Sequence, residues 1–289
     1  MPLTSPKKKV LLLGSTGKMG IALHDVFKST FTVFGKNSED FDAASPKTVN
    51  PLIDDTCPDI VLNTAAFLGI DPCELEPEKA LHMNTMFPKH LAELSEKKGF
   101  VLVHFSTDAV FPNIEESAFS EDDSPYPLNL YGVTKFGGDA LIQSIASQYY
   151  IFRLPVLFGP SSKKNQFVEK MLERIQSGQK TLKVSSDIIS SPSYSYDIAK
   201  EACRIIETLT PFGLYHLNNE GQGSLYDLMK EIVKNLKINV RLEPASFQDF
   251  PHIGKKNTRT PLKSTRIKPL RPWKDAVKAY CQEMKNFEA

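Results

Sequence analysis

The chain predicts an α/β fold, a doubly wound parallel sheet of Rossmann type with a smaller C-terminal α/β lobe, and three observations carry that expectation. Short apolar runs alternate with longer stretches of helical spacing through the first 160 residues. Those runs lack polar alternation, as strands buried on both faces do. A glycine-rich turn joins the first run to the first helix. Strand–helix alternation builds a parallel sheet, and right-handed crossovers place all the strand C-termini along one edge, where such sheets bind ligands.

Taken in order, Val10–Leu13, Phe31–Phe34, Ile60–Thr64, Val101–Ser106 and Tyr150–Pro155 read as strands. Met19–Phe27, Pro46–Asp54, Pro77–Lys98 and Leu130–Gln148 read as the helices between and after them. Loop composition from Gly159 to Lys164 marks a boundary, so residues 1–160 form the dinucleotide-binding unit. Residues 161–289 form mainly a substrate lobe, with 185–209 returning to the first unit. Helices are expected over Asn165–Gln176 and Tyr196–Leu209, and a strand over Gly213–Leu217. Ser224 and Asp227 form a capping-box pattern opening a helix to Leu236, and Trp273–Lys285 is the last helix.

Composition removes several function classes. With 35 basic and 34 acidic residues and a net charge of +1, the chain lacks the basic excess of a nucleic-acid-binding protein. Hydrophobic residues make up 41% and charged residues 24%, the mix of a globular protein. No apolar run reaches the length of a membrane span, and Val10–Leu13 after Met1–Lys9 is too short for a secretory signal. Cys57, Cys73, Cys203 and Cys281 are far apart and show no zinc or disulfide spacing, as expected of reduced thiols in the cytoplasm. The six histidines make no metal motif, and His104, inside a strand, reads as a packed core residue. A homodimer is compatible with all of this.

Gly14-Ser15-Thr16-Gly17-Lys18-Met19-Gly20 follows the first strand at once. Gly14 permits the turn, Gly17 lets backbone approach a pyrophosphate, and Gly20 allows close helix–sheet packing. The helix N-terminus then offers free N–H groups and a favourable dipole to phosphate. An NAD site wants a carboxylate at the end of strand two, where this chain has Phe34-Gly35-Lys36-Asn37. Lys36 and Lys18 at that corner suit a 2′-phosphate, so NADP(H) is favoured and NAD(H) is the alternative.

Tyr131 and Lys135 form a YxxxK pair on one helix face, where an ammonium favours phenolate and lowers the tyrosine pKa for proton transfer to a carbonyl. Ser106-Thr107-Asp108 follows the fourth strand and offers hydroxyls at the ligand edge, and Asn63-Thr64-Ala65-Ala66-Phe67 offers small residues beside a cofactor. In this order and spacing, GSTGKMG, NTAAF, STDAVF and YGVTK resemble the extended short-chain dehydrogenase/reductases, and within them the dTDP-4-dehydrorhamnose reductase family. Asp71-Pro72-Cys73-Glu74, Pro127–Tyr131, Asp187–Tyr194 and Leu270–Trp273 extend the resemblance across nearly the whole chain.

The resemblance implies hydride transfer from NAD(P)H to C4 of a nucleotide-linked 4-keto-6-deoxy sugar. It makes Tyr131 the proton donor, Lys135 the holder of the nicotinamide ribose, and Thr107 a hydrogen-bond partner of the substrate carbonyl. Gly17, Lys18 and Met19 would cradle pyrophosphate, Asp42 and Ala43 would lie by the adenine, and Ala66, Phe67, Leu68 and Phe105 would line the nicotinamide. Ala109 and Val156 stand where the family has aromatic walls facing the sugar. Lys255–Arg271 holds seven cations and no acid, which reads either as a diphosphate clamp or as a solvated loop. Two rival functions share the fold: a regulatory subunit resembling the β subunit of methionine adenosyltransferase, and a nucleotide-sugar epimerase.

Overall fold

The computed structural model describes residues 6–115, 117–162 and 166–288. Met1–Ser5, Glu116, Ala289 and residues 163–165, which hold part of the expected boundary loop and the expected helix start at Asn165, lie outside the described residues. The first half runs β1 (Lys9–Leu13), α1 (Lys18–Phe27), β2 (Thr32–Lys36), α2 (Pro46–Thr56), β3 (Ile60–Asn63), α3 (Ile70–Leu75), α4 (Pro77–Leu81), α5 (Phe87–Lys98), β4 (Val101–Thr107), α6 (Leu130–Ile145) and β5 (Tyr149–Leu154). The second half runs β6 (Leu157–Phe158), α7 (Phe167–Gln176), β7 (Thr181–Ser185), β8 (Ile189–Ser190), β9 (Ser193–Tyr194), α8 (Ser195–Glu207), β10 (Gly213–His216), β11 (Asn219–Glu220), β12 (Gly223–Ser224), α9 (Leu225–Leu236), β13 (Arg241–Ala245), β14 (Leu270–Pro272) and α10 (Trp273–Glu288).

Six parallel strands form one sheet in the order β2-β1-β3-β4-β5-β10. Pleating sends alternate residues of β1 to opposite faces. Val10 and Leu12 join Leu23 and Phe27 of α1 and Ile198 and Ala202 of α8 in one core. Leu11 and Leu13 join Val49, Ile53, Leu91 and Ile142 of α2, α5 and α6 in the other. Both faces are therefore covered over β1, β3, β4 and β5, which is why those strands read as unbroken apolar runs, whereas β2, expected to be buried like them, lies at the sheet edge and is largely exposed. The chain leaves β1 to one side for β2 and returns to its other side for β3, so the crevice beyond the C-terminal ends of β1 and β3 is the switch point where such sheets bind ligands.

The return to the first unit runs from Ser195 to His216: α8 packs beside α1 and β10 adds the sixth strand. The second lobe has its own core, with Phe158, Tyr194, Leu228, Ile232, Trp273 and Tyr280 buried together. There β7 pairs with β13, and Ser224 and Asp227 close the capping box of α9.

The single helix expected over Pro77–Lys98 is broken. A π-helical turn over His82–Met86 separates α4 from α5. Pro88, in the first turn of α5, has no N–H to continue the ladder, and the wider turn absorbs the interruption. Helix α6 stops at Ile145 rather than Gln148, because Ala146 turns to extended backbone. Helix α3 and the two-residue strands of the second lobe were not expected; they are too short to show a period.

Candidate active site

The turn after β1 is made by backbone. Gly14 has φ +88°, and a side chain at Gly20 would strike the Gly14 carbonyl, so α1 packs tightly under the loop. Gly17 is the N-cap of α1 and supplies no side-chain cap, which leaves the first N–H groups of the helix aimed out of the turn. A cleft of about 620 Å³ begins here and runs along the strand ends to Tyr131. Gly14, Gly17, Met19, Asp42, Ala43, Ala65, Ala66, Phe67, Leu68 and Phe105 line it, as do Thr107, Tyr131 and Lys135. Gly20 lies beneath the turn, and Lys36 stands beside the cleft residues Asn37 and Ser38.

Helix α6 carries Tyr131 and Lys135, and Asn129 caps it by accepting from Gly132 N at 2.9 Å. A side chain at Gly132 would strike the Ala109 carbonyl, so its absence lets α6 seat Tyr131 against the turn that carries Thr107. Tyr131 hydrogen-bonds Thr107. Thr107 Oγ1 donates to Asp108 Oδ1 at 3.2 Å and accepts from Ala109 N at 3.2 Å. Asp108 Oδ2 accepts from Ser190 Oγ at 3.0 Å and Thr260 Oγ1 at 2.9 Å, joining the turn that carries Thr107 to the second lobe. Burial raises the Asp108 pKa to about 6 against the pull of these hydroxyls.

Lys135 is buried; its Nζ donates to Phe105 O at 2.7 Å and lies 3.1 Å from His104 Nε2. Burial lowers its pKa to about 8, with Asp139 one turn on opposing the fall. The expected acidification of Tyr131 is corrected here. Burial pushes the phenol up, the Thr107 bond pulls it down, and Asp108, Cys73 and Asp139 add to the rise. Lys135, lowered to about 8, is already an amine at the pH where this phenol would ionise, so it does not offset the rise.

Lys18 is a second correction. It lies among the residues that line the cleft, but its Nζ pairs with Glu169 at 3.1 Å and donates to Leu157 O at 3.2 Å. The side chain staples α1 to the second lobe, which leaves the phosphate corner to Lys36. Lys36 Nζ lies 3.4 Å from Asp40 Oδ1, a solvent-screened pair one helical turn apart in sequence. Val156, which stands where the family has an aromatic wall, is partly buried and packs against the second-lobe core. In the basic segment, Lys256 pairs with Asp71, Arg266 with Asp122 and Arg271 with Asp197, so these three cations hold loops together rather than forming a clamp.

Several site residues escaped the sequence reading. Asn84, in the π-helical turn, accepts from Phe67 N at 2.9 Å and donates to Phe67 O at 3.0 Å and Thr134 Oγ1 at 3.2 Å, fixing the NTAAF loop against α6. His104 is not an inert core residue; it contacts Lys135 Nζ on one side and Asn63 on the other. Asp108 was visible as a member of STDAVF but without its partners, whereas only the sheet register brings Asn63 beside His104. Among the described residues no His, Cys, Asp and Glu cluster could hold a metal ion, and no helix is long and apolar enough to cross a membrane.

The RmlD substrate binding domain model matches residues 8–286. The spore coat polysaccharide biosynthesis protein SpsK of Bacillus subtilis is 30% identical over 284 residues, covering 95% of this chain and 97% of its own. The dTDP-4-dehydrorhamnose reductase of Aggregatibacter actinomycetemcomitans is 28% identical, covering 93% and 97%. The crystal structure of dTDP-4-dehydrorhamnose reductase from Bacillus anthracis in complex with NADP superposes with a TM-score of 0.90 at 24% identity, over 96% of this chain and 99% of that one, a likeness of fold. With a glycine turn, a Thr107–Tyr131–Lys135 floor and this match along almost its full length, the chain belongs to the RmlD substrate-binding-domain family.

Proposed function

We propose that this chain is an NADPH-dependent reductase of a nucleotide-linked 4-keto-6-deoxy sugar, working in the cytoplasm on precursors of surface polysaccharide. One observation carries the reading: the cleft that opens at the uncapped N-terminus of α1 ends on Thr107, Tyr131 and Lys135. The residues fit the cofactor, since the Gly14–Gly20 backbone leaves room for a pyrophosphate and directs N–H groups at it. Lys36, where an NAD site would carry an acid, supports the 2′-phosphate. The relatives named as dTDP-4-dehydrorhamnose reductases support the substrate class.

Bound NADPH supplies the hydride. Tyr131 gives its phenolic proton to the carbonyl oxygen as that oxygen takes up charge. The high phenol pKa suits transfer to an alkoxide, itself a strong base. Thr107 holds the same oxygen by turning its one hydroxyl proton to it from Asp108, the acceptor of that proton in this structure. Lys135 places positive charge near the phenolate when protonated. Loss of the reduced-nicotinamide absorbance on adding a panel of nucleotide-linked 4-keto-6-deoxy sugars tests the reading. Consumption of one NADPH per sugar reduced is expected. No consumption with any sugar, together with co-purification of a partner synthetase, would favour the regulatory subunit, and sugar isomerisation without net NADPH loss the epimerase.

A further inference from the structure

Below the cleft floor lies a buried row of polar side chains that the reduction just described leaves unused. Asn63 and His104 are fully buried on neighbouring strands, β3 and β4, paired in register. Asn63 Oδ1 accepts from Ala65 N at 3.2 Å, and Asn63 Nδ2 lies 3.1 Å from His104 Nδ1. The first contact orients the amide. Its oxygen serves the backbone, so its NH₂ faces the ring and Nδ1 must accept. A neutral imidazole that accepts at Nδ1 carries its proton on Nε2, and Nε2 points at Lys135 Nζ, 3.1 Å away. An ammonium has no lone pair to receive that N–H; an amine has one. Lys135 can keep its full charge only by turning the ring to its other tautomer, which breaks the Asn63–Ala65 arrangement.

We propose that Asn63 and His104 are a positioning pair that acts through Lys135, presenting an N–H to Nζ and thereby setting the pH at which the lysine changes from ammonium to amine. This rests on the reductase reading, in which Lys135 must be charged to favour the Tyr131 phenolate, so the pair sets the alkaline limit of activity. Burial and the Lys135 charge hold His104 well below its ordinary pKa, so the ring is neutral throughout the working range. The other charged or titratable groups of this layer are Tyr131 and Asp139 on α6, Arg153 on β5 paired with Asp139 at 3.1 Å, Asp108 at the end of β4, and Cys73 on α3. None of them is shown in contact with the His104 ring, which leaves Lys135 as its titrating partner.

The test is ring nitrogen NMR of histidine-labelled, cofactor-free protein across neutral and alkaline pH. Wild type is expected to show His104 with Nδ1 unprotonated and Nε2 protonated, and a step in its shifts that disappears in Lys135→Met. Asn63→Asp, whose carboxylate accepts from Nδ1–H, turns the lone pair of Nε2 toward Lys135 and favours the ammonium. In that variant the step and the alkaline limit of kcat/KM are expected to move up by about one pH unit or more. An Nδ1–H tautomer in wild type, a step that survives Lys135→Met, or a folded Asn63→Asp with an unmoved step would overturn the proposal. Should wild type reduce no keto sugar, the reductase reading fails alone, and the tautomer and its Lys135-dependent step still decide this inference.

Discussion

Replacing Asp108 by Asn isolates the electrostatic cost of a buried carboxylate at the junction of the two lobes. Asp108 accepts from Thr107, Ser190 and Thr260, yet burial outweighs these bonds and lifts its pKa from 3.8 to about 6. A carboxyl whose pKa is higher in the folded state binds its proton more tightly there. Its contribution is fully present below 3.8 and is lost as pH rises through about 6. The full rise corresponds to about 3 kcal/mol, of which about 2 kcal/mol develops between about pH 4 and about pH 7. The amide does not titrate. Whatever Asp108→Asn costs through altered hydrogen bonding is present at both pH values and cancels in the difference. Urea unfolding of both proteins at the two pH values is therefore expected to show the variant gaining about 2 kcal/mol on wild type as pH rises. A stability difference that stays constant, or a variant that loses ground to wild type as pH rises, would mean that the three hydroxyls hold the carboxylate at or below its ordinary pKa, and the reasoning would fail.

Three further outcomes follow from the site. Tyr131→Phe removes the proton donor and is expected to lower kcat about 10³-fold in steady-state assays; fluorescence titration should find NADPH affinity little changed. Lys18→Met leaves Glu169 without its cation in a largely buried position and is expected to lower stability by roughly 2–3 kcal/mol in denaturant unfolding. The preference for NADPH over NADH should survive it, whereas Lys36→Ala should lower that preference about tenfold. Gly132→Ala drives a methyl group onto the Ala109 carbonyl and should cost about 1–3 kcal/mol. The same shift of α6 should lower kcat more than it raises KM, because Tyr131 moves with the helix.

The parts of this molecule legible from sequence are those with a local signature. Val10–Leu13 and Val101–Ser106 announce doubly covered strands by their lack of alternation, and Ser224 with Asp227 announces a helix start by its spacing. The glycine turn and Tyr131–Lys135 are likewise short-range patterns. What sequence hid was set by tertiary partners. Lys18 reads as a phosphate ligand until Glu169, 151 residues later, is seen to engage it. Lys256 reads as part of a clamp or of a solvated loop until Asp71 is seen to pair with it. His104 reads as core because nothing local says that Asn63 stands beside it on the next strand. In each case the residue type was visible, and the charge or donor that decides its role came from elsewhere in the fold.

The hidden contacts also share a direction: they run from the second lobe to the frame of the catalytic helix. Asp71, at the start of α3, accepts from Lys256 Nζ at 2.7 Å and from Ile253 N and Gly254 N at 3.2 Å. Asn129, the cap of α6, donates to Lys255 O at 2.9 Å and Asn257 Oδ1 at 2.7 Å. Asp108, next to Thr107, takes Ser190 and Thr260 from the far lobe. A loop that merely bordered a sugar would need none of these bonds. Because the same segment fixes the cap two residues before Tyr131 and the acceptor one residue after Thr107, the seating of the second lobe and the position of the proton donor are a single structural variable. Binding energy drawn from the distant parts of a nucleotide sugar can then be expressed as alignment at C4, the condition under which such energy raises kcat rather than only lowering KM.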